Sequence, residues 1–143
     1  MITLKELKTT INEVIKAKFP TIEINSNDIS EGFARPSFFT DFDFTYRRDY
    51  LGSFIREVTV TIYYFPTNRN KYKDEVLEKQ DAIEDAIRKG FEVKGRHLHI
   101  MNNIESEVID KILQVSFELE YYDTPDEATE VSPLMEELNY DGS

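Results

Sequence analysis

The chain has no cysteine, only five glycines and no apolar run long enough to cross a membrane. Without cysteine there is no disulfide framework, no thiolate metal site and no thiol nucleophile. The glycines, at 32, 52, 90, 95 and 142, never cluster as a phosphate-cradling loop needs, so the P-loop and dinucleotide-binding fingerprints are absent. Gly52-Ser53 lacks the G-x-S-x-G frame of a nucleophile elbow. The apolar stretches are strand-sized, and "MITLKELKTT" lacks the hydrophobic core of a signal peptide. A soluble protein made and used in the cytoplasm is the expectation. Basic residues are also scarce, 17 against 28 acidic, and the net charge of −11 argues against nucleic-acid or anionic-membrane partners.

What is present is enough for one domain. The 143 residues include 40% apolar and 13% aromatic side chains, enough for a core. The acidity is unevenly placed. Residues 123–143 carry −7 with no Lys or Arg, which leaves −4 for residues 1–122. The division expected is a domain over 1–122 and an acidic C-terminal tail over 123–143, with Pro125 and Pro133 and few apolar residues.

Thr3 with Glu6 is a capping-box pattern, and Leu4, Leu7, Ile11, Val14, Ile15 and Phe19 follow at helical spacing, predicting a helix over about 4–18. "TIEI" (21–24) suits a short strand. From Phe38 the even positions Phe38, Thr40, Phe42, Phe44 and Tyr46 form one face of a strand, with Phe39, Asp41, Asp43 and Thr45 on the other. "RRDYLGSF" is expected to turn the chain into the strand "FIREVTVTIYYF" (54–65), with Val58, Val60, Ile62 and Tyr64 on one face of an antiparallel hairpin. Tyr72, Val76, Leu77, Ile83, Ala86 and Ile87 predict a second helix ending near Gly90, its outer face bearing Asp74, Glu75, Glu78, Asp81, Glu84 and Asp85. "RHLHIMNNI" and "ILQVSFELEYY" predict two further strands joined through 105–110. The fold class expected is α+β, a two-layer sandwich of a mainly antiparallel sheet of four or five strands against two amphipathic helices.

No set of residues assembles into a reaction, and no cofactor is indicated. His97 and His99, two apart on a strand, have a spacing that suits a metal or simply a solvated face. Asp41 and Asp43 read either as paired carboxylates or as the wet half of a strand. Arg47 and Arg48 with Tyr46 and Tyr50 suit a phosphate contact, an ion-pairing loop or an acidic protein neighbour. Eighteen Tyr and Phe exceed what a small core needs. Phe33, Tyr46, Tyr50, Tyr72, Tyr121, Tyr122 and Tyr140 fall at strand ends and loops, where aromatics favour interfaces. Gly32 supplies a turn before Arg35-Pro36, and the pair reads either as an extended strand-entry device or as a presented loop holding Phe33 and Arg35.

"ITLKELKTTINEVIKAKFP", "IEINSNDISEGFARPSFFTDF", "VTVTIYYFPTNRNKYKDEVLEKQDAIEDAI" and "RHLHIMNNIESEVIDKILQVSFELEYYD" together resemble the small tail terminator proteins of Firmicutes phages and related prophage tail particles. "EGFARPSFF" and "YYFP" before an acidic helix are the most specific parts. The resemblance implies a structural protein, not an enzyme. Such proteins form a ring, typically a hexamer, on the end of the tail tube, where they stop polymerisation and offer a head-proximal joining surface. Partners so implied are further copies of the chain, the tail tube protein, the sheath protein and the head connector. The location implied is the host cytoplasm during assembly, then the virion or tail particle. A ring needs two different complementary patches on each subunit. Asp74, Glu75 and Glu78 on one side, with Phe33, Arg35, Tyr46, Arg47, Arg48 and Tyr50 on the other, are the interface residues expected. A head-to-tail completion or adaptor protein of the same particle, and a small metal-dependent enzyme using Asp41, Asp43, His97 and His99, are the alternatives.

Overall fold

The computed structural model describes residues 1–25, 35–68 and 70–125. Helix α1 (Leu4–Lys18) begins as the sequence dictates. The Thr3 hydroxyl accepts from the Glu6 amide and the Glu6 carboxylate accepts from the Thr3 amide. Leu7, Ile11 and Ile15, spaced by four, form its fully buried stripe.

After α1 the chain forms β1 (Glu23–Asn25), β2 (Ser37–Tyr50) and β3 (Ser53–Phe65), then α2 (Lys73–Ile87). A small hairpin of β4 (Phe91–Val93) and β5 (Arg96–Leu98) follows, and β6 (Ile100–Ile109) and β7 (Ile112–Asp123) complete the fold. The main sheet has the order β1-β2-β3-β7-β6; β1 pairs parallel to β2 and every other pair is antiparallel. Val58, Val60, Ile62 and Tyr64 of β3 and Leu113, Val115, Phe117 and Leu119 of β7 point to one face, where they meet Val76, Ile83 and Ile87 of α2 and the stripe of α1 in a single core. This is the α+β sandwich expected, with helices on one face of the sheet.

Several expectations are corrected. Arg47–Tyr50 do not turn the chain but extend β2, because a two-residue turn, Leu51-Gly52, suffices to pair Tyr50 with Ser53. Residues 105–109 likewise belong to β6, and the second turn is Asp110-Lys111, both with positive φ. "RHLHIMNNI" is not one strand: a tight turn at Lys94-Gly95 pairs Arg96–Leu98 with Phe91–Val93, and the chain enters β6 only after His99. The short strand expected over 21–24 lies at Glu23–Asn25.

The alternation of β2 also breaks. The register shifts between Phe42, opposite Val60, and Phe44, opposite Thr59. A bulge at Asp43 therefore turns Phe44 off the core face, and it is 57% exposed. Leu77, expected in the core, is 61% exposed on the outer side of α2. Asp123, assigned from the sequence to the tail, is the last residue of β7, where its carboxylate accepts from the Ile2 amide and pairs with Arg96.

Candidate assembly surface

Two surfaces gather the residues singled out by the sequence. The first is the outer end of the β2–β3 hairpin. Tyr46, Arg48 and Tyr50 lie opposite Glu57, Ile55 and Ser53, on the sheet face away from the helices. Arg48 donates to the Tyr46 hydroxyl at 2.9 Å and the Tyr50 hydroxyl at 3.5 Å, so its guanidinium is held between two phenols. Arg47 faces the other way, pairs with Asp49 at 3.0 Å and lies 4.0 Å over the Phe54 ring. Leu51 at the tip is fully exposed, and Tyr122 of β7, opposite Ile55, is 65% exposed. Leu51 and Phe44 extend the patch beyond the residues expected, and Tyr122 is one of the aromatics the sequence singled out. Leu51 was readable in principle, since an apolar residue in a two-residue turn has no interior to enter.

The second surface is the outer side of α2. Asp74, Glu78, Asp81 and Asp85 recur at helical spacing and are exposed, with Leu77 among them. Glu75 and Glu84 do not belong to this stripe. Glu75 turns inward, accepting from the Tyr64 hydroxyl and from the amide and hydroxyl of Thr67. Burial opposes its charge, but the hydrogen bonds from Tyr64 and Thr67 prevail and hold its carboxyl below the ordinary value. Glu84 accepts from Ser106 on β6 and from Gln80. Asp85 is paired with Arg88 and Lys18.

The two surfaces are far apart. The start of α2 is tied to Tyr64 near the end of β3, whereas the hairpin turn precedes Ser53 at its beginning. Ten strand residues between Phe54 and Tyr64 span about 33 Å.

Arg35 is at the α2 end of the sheet, half-buried. It donates to the Pro66 carbonyl at 3.2 Å and its guanidinium is 5.7 Å from the Phe65 ring centroid, so it ties the entrance of β2 to the exit of β3. The Arg35-Pro36 peptide is cis. Phe33 and Tyr140 lie outside the described residues. Tyr72 and Tyr121 pack toward the core rather than outward.

The His97 and His99 rings are 4.5 Å apart, but the two nitrogens of His97 are engaged by Glu92 at 2.8 Å and the Lys89 carbonyl at 2.6 Å. Among the described residues no three His, Asp or Glu side chains converge as a metal site. Asp43 accepts from Thr61, which also bonds Ser116, and Asp41 lies opposite Thr61. Burial, with the Asp43 and Asp41 charges, raises the pKa of the Tyr63 phenol beside them. A polar cleft of about 230 Å³ opens beside the register break in β6, lined by Thr59, Asn102, Glu105, Ser116 and Glu118. Among the described residues no helix is long and apolar enough to cross a membrane.

No curated protein matches the chain. A family model described as phage tail terminator protein matches residues 6–131, from the first turn of α1 to beyond the end of β7. The chain therefore belongs to the phage tail terminator family, a family of structural tail proteins and not of enzymes.

Proposed function

We propose that the protein closes into a ring, typically a hexamer, on the last ring of the tail tube. There it stops tube polymerisation and presents the head-proximal joining surface. Its partners are further copies of itself, the tail tube protein and, beyond them, the sheath protein and the head connector. Assembly takes place in the host cytoplasm, and the ring remains in the virion or tail particle.

Membership of the family supports contact with other tail proteins. The observation that carries the ring is the placement of charge. An acidic stripe (Asp74, Glu78, Asp81) and a basic aromatic hairpin end (Tyr46, Arg47, Arg48, Tyr50) sit at opposite ends of β3. A closed head-to-tail assembly needs two unlike patches facing different neighbours, and opposite charge fixes which end meets which.

Charge reversal tests the joint. Arg47→Glu with Arg48→Glu, or Asp74→Lys with Glu78→Lys, should each abolish rings seen on tube ends by negative-stain microscopy. Combining all four in one chain should restore them. A four-fold variant no better than either pair would refute this joint.

A further inference from the structure

The hairpin end holds more positive charge than the described residues neutralise. Arg47 and Arg56 lie directly opposite each other in the β2/β3 ladder, a position where like charges repel. Arg56 in turn lies opposite Tyr121, over whose ring Arg96 is placed at 5.9 Å. Asp49 neutralises Arg47 and Asp123 neutralises Arg96. Arg56 has the Phe54 ring at 5.9 Å and the Tyr121 phenol beside it, while Arg48, on the opposite face of the hairpin, has two phenols. Among the described residues, no carboxylate is within ion-pair distance of either.

Strand β7 ends at the same place. Asp123 pairs with Phe54 in the ladder, and a cleft of about 390 Å³ lined by Ser53, Arg96, Tyr122, Asp123 and Thr124 opens there. Residues 126–143 then bring Asp126, Glu127, Glu130, Glu136, Glu137 and Asp141 without one Lys or Arg, interleaved with Val131, Leu134, Met135, Leu138 and Tyr140.

We infer that the segment 126–143 docks in cis on this arginine row, its carboxylates meeting Arg56 beside Arg47 and Arg96 on the helix-side face of the hairpin end and its apolar residues reaching Leu51 at the tip. Arg56 is two strand residues from the end of β7 by register, about 7 Å, so a short length of chain reaches it. The tether supplies an effective concentration in the millimolar range, enough for contacts that would be weak between separate molecules. The docking stands independently of the ring. If both hold, a neighbour that joins at Arg47 and Arg48 must displace the segment.

The absence of native cysteine allows a single nitroxide on Ser143→Cys of the full chain. Amide signals of Arg47, Arg48 and Arg56 should broaden in the ¹⁵N-labelled protein. Their paramagnetic rates should fall about fivefold when screening is raised to roughly 0.5 M NaCl. The same fall is expected when Glu136→Gln, Glu137→Gln and Asp141→Asn are combined, changes that follow β7 in the sequence. Broadening that ignores salt and these substitutions, or that centres on another surface, would overturn the proposal. Equal broadening of unlabelled ¹⁵N chain mixed with spin-labelled ¹⁴N chain would overturn docking in cis by placing the segment on a second copy.

Discussion

Glu75 was expected on the wet side of α2, where its neighbours Asp74 and Glu78 are, yet it is the acceptor for a buried phenol and for the Thr67 backbone. Removing it strands the Tyr64 hydroxyl, and an orphaned buried donor costs more than the bond itself contributes. Glu75→Ala should lower stability by about 1–3 kcal/mol in urea denaturation, and Tyr64→Phe, which leaves a carboxylate free to hydrate, by about 1 kcal/mol or less. The double substitution should cost less than the sum of the two, because both remove one interaction. The pKa of Glu75 is depressed in the fold from an ordinary 4.5. Its contribution is therefore fully present above about 4.5 and is lost as pH falls through the lower, folded value. In acid titrations of stability, the slope between about 4.5 and the lower, folded value should be shallower for Glu75→Gln than for the parent. An unchanged slope would contradict the assignment.

Elements were legible in the sequence where one local rule acted alone. The capping box placed the start of α1, and unbroken alternation over Val58–Tyr64 and Leu113–Tyr121 placed both inner strands with their core faces. Legibility failed where a single residue changed the phase. One bulged residue at Asp43 sends Phe44 outward, which no period-2 count reveals. The three-residue strands β4 and β5 are too short for a period, and "RHLHIMNNI" hid the end of one strand and the start of the next, at His99, behind an apparent alternation. The parallel pairing of β1 depends on a partner twelve or more residues away. Of the interface residues expected, Tyr46, Arg48 and Tyr50 are brought together, Arg47 faces the opposite side of the same hairpin, and Arg35 and Glu75 are used within the fold.

The turns give element-scale predictions. Asp110 and Lys111 both adopt positive φ, 53° and 68°, in the β6–β7 turn, a conformation that costs a side chain about 1 kcal/mol each. Lys111→Gly should raise stability by roughly 0.5–1 kcal/mol, the relief being partly offset by the more flexible unfolded chain. Gly90, just past α2, has φ 82°, and an added Cβ would collide with the Leu98 carbonyl of β5. Gly90→Ala should therefore cost about 2 kcal/mol or more and loosen the β4–β5 hairpin against α2. At Gly52, with φ 83° but open space around it, alanine should cost only about 1 kcal/mol. Equal melting shifts at the two glycines would contradict the packing described.

At the scale of the molecule, the helices cover one face of a five-stranded sheet and leave charge sorted by position. There is acid along α2, arginine and aromatic rings at the hairpin, and a further acidic segment beyond β7. A domain so polarised should assemble with a marked dependence on salt, since opposed surface charges steer and orient association. The exposed Phe44 should matter for assembly and not for folding: Phe44→Thr should change stability by less than about 0.5 kcal/mol, whereas Phe38→Ala in the core should cost about 3–5 kcal/mol. Electron microscopy of the particle's own tail tubes, polymerised with and without the protein, tests the central claim most directly. A ring of this protein is expected at one end of each tube, with an arrest of further tube growth from that end. Tubes whose ends stay bare and whose growth is unaffected by saturating protein would contradict it.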